Sequence, residues 1–91
     1  MKKERRKMKE EIKLKKEGQK LKAELIIGRE GLTKEIVLEL NKRLKKKKLI
    51  KIKIPADKEI DRKEFAEKIA LRVGAKAVEV KGFTALIFRE K

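Results

Sequence analysis

The chain has 91 residues, enough for one domain that buries on the order of 60–65% of its unfolded surface, and Lys and Arg outnumber Asp and Glu by 30 to 15, a formal charge of +15. With no Cys and no His, disulfides, thiol chemistry, zinc fingers and imidazole bases are excluded. So strong a basic excess points to a polyanionic partner and says nothing of the fold.

No window approaches the roughly 18 apolar residues of a membrane span, and the first residues, MKKERRKMKEEIK, lack the apolar centre of a signal peptide. The expected location is the cytoplasm, away from any membrane. Asp57 and Asp61 flank a turn and a helix start while the glutamates are scattered among lysines, so neither a metal site nor a catalytic carboxylate cluster is expected. A chain rich in Lys and Glu, with one Asn and one Gln, also has the composition associated with thermophilic proteins.

Residues 1–23 hold eleven basic and four acidic side chains, a surplus of seven. Met8, Glu11, Ile12 and Lys15 follow helical spacing, which predicts a helix over residues 3–16, ended by Gly18. Its apolar stripe is thin, and two roles fit it: a basic arm on nucleic acid, or a solvated helix that adds solubility. This arm, residues 1–20, is read as separate from a domain over residues 21–91.

Next, Leu21, Ala23, Leu25 and Ile27 alternate with Lys22 and Glu24 at strand period. The loop GREG follows, and Thr33 is a good N-cap with Leu32 and Val37 placed as a hydrophobic staple, so a helix is expected from Lys34. Ile36, Val37, Leu40 and Leu44 form its inward stripe. Residues 49–54, LIKIKI, alternate again, with Ile50, Ile52 and Ile54 against Lys51 and Lys53, and Pro55 closes the strand.

Asp61 and Glu64 then read as a capping box opening a helix that turns Phe65, Ala66, Ile69, Ala70 and Val73 inward and ends at Gly74. Two final short strands meet at Lys81 and Gly82 as an antiparallel hairpin. The order is an N-terminal helix, then β-α-β-α-β-β. It predicts an α/β fold with a mixed four-stranded sheet, two helices on one face, and Lys51, Lys53 and the N-terminal helix toward the other.

Two features carry chemistry. Gly28 and Gly31 stand between a strand and a helix start, where the first amides lack partners and the dipole favours an anion. Such glycines also serve simply to turn a chain. The dinucleotide and Walker A glycine patterns are absent, so no nucleotide cofactor is expected. The second feature is the run over residues 41–53, with eight basic residues and no acid. Lysines at a helix end offset its dipole, but four in succession exceed that need and suit a surface that tracks a phosphate backbone. Only Phe83 or Phe88 offers a platform for base stacking, so recognition should rest on phosphates and shape.

With GREGLT, the LIKIKI strand after a basic helix, AEKIALRVGAKAVEVKG and the terminal LIFR, residues 21–89 resemble the CRM domain, the chloroplast RNA splicing and ribosome maturation module. The free-standing bacterial and archaeal members are the nearest in organisation. The resemblance implies a fold similar to the C-terminal domain of bacterial initiation factor three, and a Gly-x-x-Gly loop and basic surface that contact RNA. It implies ribosomal RNA precursors and the large ribosomal subunit as partners, or group II introns and other structured RNAs in splicing. The resemblance carries over to Gly28, Arg29, Glu30, Gly31 and Arg89, and with Thr33 and Lys34 from the helix start and Lys45, Lys46, Lys48, Lys51 and Lys53 from the basic run these form the expected RNA-binding set. Gly28 and Gly31 are the loop glycines, and Arg89 is the arginine that ends the last strand. Glu30 departs from the expected charge of such a loop. No catalytic or metal residue is expected. A module for an acidic protein surface is the competing class, and a small enzyme is the third.

Overall fold

In the computed structural model, residues 2–90 are described, with side chains from residue 10 onward. The elements are α1 (Lys2–Gln19), β1 (Ala23–Ile26), α2 (Lys34–Lys46), β2 (Leu49–Lys53), α3 (Arg62–Arg72), β3 (Lys76–Lys81) and β4 (Thr84–Phe88). The strands form one mixed sheet in the order β1-β2-β4-β3. β1 runs parallel to β2, and β4 is antiparallel to both its neighbours. The β2-α3-β3 connection thus leaves a gap that the last hairpin fills, which puts β4 in the interior.

Alternation in β2 and β4 sorts the two faces of the sheet. Ile50, Ile52, Ala85 and Ile87 join Ile27, Leu40, Leu44, Ile54, Ala66, Ile69, Ala70 and Val73 in the core beneath α2 and α3. Local chemistry fixes both helices. The Thr33 hydroxyl accepts the Ile36 amide at 3.2 Å, and the Asp61 carboxylate accepts the Glu64 amide at 3.2 Å. Only this half of the expected capping box forms, and Glu64 instead lies 3.4 Å from Lys68, one turn on. At the other end of α3, Gly74 sits at φ +64. The Ala75 amide donates to the Ala70 carbonyl at 2.7 Å and the Gly74 amide to Leu71 at 3.2 Å, a Schellman closure.

α1 differs from expectation. It runs through Gly18 to Gln19, and Ile12 is exposed. The face it turns to the sheet is built on Leu14 and Gly18, while Met8 has a side chain outside the described residues. Gly18 is buried, and a Cβ there would overlap Leu86. This glycine, in the last turn of α1, therefore permits the helix backbone to lie on the sheet. Glu11 pairs with Lys76 of β3 at 2.7 Å and ties the helix down. α1 covers the face opposite α2 and α3, with Lys51 and Lys53 on that side.

β1 also departs from simple alternation. Ala23 pairs with Lys51 but Leu25 with Ile52, so β1 carries one extra residue, Glu24, as a bulge. Ala23 is consequently exposed rather than inward. Glu24 reaches the end of α2 instead, where its Oε1 meets Arg43 Nη1 at 3.6 Å and Nζ of Lys47, the residue after the helix, at 3.2 Å. No helix among the described residues is long and apolar enough to cross a membrane.

Candidate nucleic-acid interface

β1 and β2 end side by side, and everything that follows their carboxyl ends collects at one end of the domain. The Ile27 amide donates to Lys53 O at 2.9 Å, and the Ile54 amide donates to Phe83 O at 2.7 Å. The 28–31 loop, the 54–61 segment and the tip of the β3-β4 hairpin are thereby lined up in strand order.

Within the loop, the Gly31 amide donates to Gly28 O at 3.0 Å and closes a tight turn with Arg29 and Glu30 at its exposed corners. Gly31 adopts φ +75, where a side chain is strained. Gly28 has no such need: its φ is not positive, and a Cβ added there meets nothing within 4 Å. Nothing inside the domain demands a glycine at 28, which leaves close approach from outside as the physical use of its bareness.

The loop leads directly into α2. Thr33 takes the Ile36 amide through its hydroxyl and the Val37 amide through its carbonyl at 3.0 Å, which leaves the Lys34 and Glu35 amides at the positive end of the helix dipole. Side-chain charge nearby nearly cancels. Arg29 and Lys34 stand with Glu30 and Glu35, and Arg29 Nε lies 3.3 Å from Asp57 Oδ2. Asp57 is itself held by the Glu59 amide at 2.9 Å. An anion placed here would meet backbone amides before any unopposed side-chain charge.

Through this pair Asp57 would compete with a phosphate for Arg29. Asp57→Asn is expected to raise affinity for RNA about two- to fivefold at low salt, with the gain shrinking as salt rises, because a partly exposed ion pair is worth under about 1 kcal/mol. A binding titration at two ionic strengths checks this.

The other sequence-predicted residues are not gathered at this end. α2 runs back along the sheet, and its 13 residues span about 20 Å, so Lys45, Lys46 and Lys48 lie at the opposite end of the domain from Lys34. All three are exposed. Lys47 and Arg43, from the same basic run, are engaged by Glu24, and Arg43 also by Glu39 at 2.8 Å. Lys51 occupies a third place, the outer face of the sheet, where it lines a hollow of about 460 Å3 with Gln19, Glu79, Lys81, Thr84 and Leu86.

Arg89 is placed differently from the rest. Its Nη1 donates to Asn41 Oδ1 at 2.6 Å and to Val73 O at 3.1 Å, and its Nη2 donates to Asn41 O at 3.2 Å. The half-buried guanidinium joins α2, the end of α3 and the end of β4. Among the residues the sequence did not single out, Arg62 stands at the loop end, with its Nη1 donating to Gly82 O at 2.6 Å and its guanidinium 5.0 Å from the centre of the Phe83 ring. The two are 21 positions apart, beyond any local pattern.

A mixed sheet with two helices on one face and a third on the other, opening a glycine loop onto a helix start, defines a small α/β domain of the CRM type. The model of the CRS1/YhbY (CRM) domain matches residues 3–89, and the chain belongs to that family. The match takes in α1 as well as the sheet. Among solved structures, the fold is shared with the solution structure of hypothetical protein SAV1595 from Staphylococcus aureus, described as a candidate RNA-binding protein. The TM-score is 0.79 at 24% identity, covering 91% of this chain and 86% of that one. No curated protein matches the sequence.

Proposed function

We propose that this is a non-enzymatic RNA-binding protein of the cytoplasm that docks on ribosomal RNA precursors during assembly of the large ribosomal subunit. The observation that carries the reading is the 28–31 loop, bare and exposed at Gly28, set against the first amides of α2. Gly28 itself puts no side chain in the way of a phosphodiester, which could accept hydrogen bonds from the start of the helix and interact with the positive end of its dipole. Family membership supports RNA as the polyanion, and the description of the S. aureus neighbour agrees with it. The charge of +15 supplies sequence-independent attraction.

Lys45, Lys46 and Lys48, about 20 Å away along α2, serve as a second phosphate contact, which suits a folded RNA better than a short linear motif. Base-specific readout plays a small part in this account. Splicing of structured introns would use the same surface and is the alternative to ribosome assembly.

Crosslinking of the tagged protein in its native cells, followed by sequencing of the attached RNA, tests the assignment. The expected result is an accumulation of reads on large-subunit precursor RNA that is lost with Gly28→Asp. Reads concentrated on introns would replace assembly with splicing. Capture of an acidic protein from nuclease-treated extract, with no enriched RNA, would overturn the reading.

A further inference from the structure

Phe83 is the exposed aromatic of the described residues, 46% accessible, while Phe65 and Phe88 are half-buried. A single exposed Phe needs no explanation by itself. What sets this one apart is how it is held. It occupies the second position of a two-residue hairpin whose first, Gly82, has φ +58. Its carbonyl accepts the Ile54 amide at 2.7 Å, and Thr84 Oγ1 donates to Lys81 O at 2.9 Å, so the tip is fastened on both sides. Arg62, fixed by Gly82 O at 2.6 Å, lies with its guanidinium 5.0 Å from the ring centre, within cation–π range.

In the order β1-β2-β4, the Phe83 tip is two strands from the glycine loop, about 10 Å across the same end of the sheet, with Lys53 and Ile54 between them. From this juxtaposition we propose that Phe83, backed by Arg62, is a base-stacking platform that takes one unpaired nucleobase of an RNA strand whose phosphate lies at the 28–31 loop. The inference rests on the RNA-binding reading and adds to it a requirement for a single-stranded or flipped-out nucleotide. Every base has a flat face, so the platform fixes where an unpaired nucleotide sits and discriminates little between bases. The Arg62 side chain keeps the ring oriented and adds positive charge beside the strand.

The test compares a short fluorescently labelled oligoadenylate with an abasic ribose-phosphate oligomer of the same length, on wild type, Phe83→Ala and Phe83→Trp. The platform predicts that Phe83→Ala weakens binding of oligoadenylate by roughly five- to 150-fold and leaves the abasic oligomer unchanged. Phe83→Trp, in a chain with no other Trp, is expected to retain binding and to have its fluorescence quenched by oligoadenylate but not by the abasic oligomer. Wild type that binds both oligomers equally, or Phe83→Ala that loses both equally or neither, overturns the platform while RNA binding stands. Wild type that binds neither oligomer overturns the platform, and if it also fails to bind structured ribosomal RNA the RNA-binding reading falls with it.

Discussion

Arg89→Ala is expected to destabilise the fold by about 2–3 kcal/mol, a drop in Tm of roughly 10–20 °C for a domain of this size. The substitution removes the donors for Asn41 Oδ1, Asn41 O and Val73 O together and leaves those acceptors beside a half-buried gap. Arg89→Lys should recover only part of the loss, since a lysine cannot present two nitrogens in a fixed fork to acceptors on different elements. Thermal unfolding followed by circular dichroism decides the matter. The family resemblance assigns this arginine to RNA contact, and the two roles separate cleanly: a clamp lowers Tm and spares the affinity of the folded fraction, whereas an RNA contact does the reverse.

The second large effect falls on the glycine loop. Gly28→Asp is expected to leave Tm unchanged, because the backbone there is unstrained and a Cβ enters open space. It should nevertheless weaken binding of structured RNA by at least about tenfold, since it sets a carboxylate where a phosphate is expected to approach the helix start. Gly31→Asp should give a similar loss of affinity together with a cost of about 1 kcal/mol in stability from its φ of +75. The contrast between neighbouring positions makes Gly28 the better probe of a ligand and Gly31 the better probe of the turn.

Much of this fold was legible because its local rules agree. The alternation over 49–54, the caps at Thr33 and Asp61 and the stop at Gly74 appear in the structure where the sequence places them. Gly18 misled because glycine has two uses near a helix: it ends α3 at Gly74 by its conformation, but in α1 it allows a close approach to Leu86, which lies 68 positions along the chain. The bulge at Glu24 was hidden for a related reason. Glu24 pairs with Arg43 of α2 and with Lys47, which caps that helix, partners that the alternation of β1 cannot reveal.

The candidate site divides into a part that sequence order keeps together and a part that the fold disperses. The loop and the start of α2 are contiguous in sequence and stay together in space. The basic run over residues 41–53 is also contiguous, but it spans a helix end and a strand, so the fold distributes it over the far end of α2 and the outer sheet face. Charge counting could not show that Glu24 engages two of its members, or that Arg89 is bound inside the fold. Nor could it place Arg62 over Phe83, a pairing that exists only once the hairpin tip meets the start of α3.

The most direct test of phosphate recognition is the salt dependence of affinity for a structured ribosomal RNA fragment, measured side by side for wild type and Gly28→Asp. With roughly four phosphates neutralised on unpaired strands, the account predicts that wild-type affinity falls about fivefold to tenfold for each doubling of salt, with Gly28→Asp weaker throughout. An affinity indifferent to salt, or a Gly28→Asp curve that overlays the wild type, would contradict it.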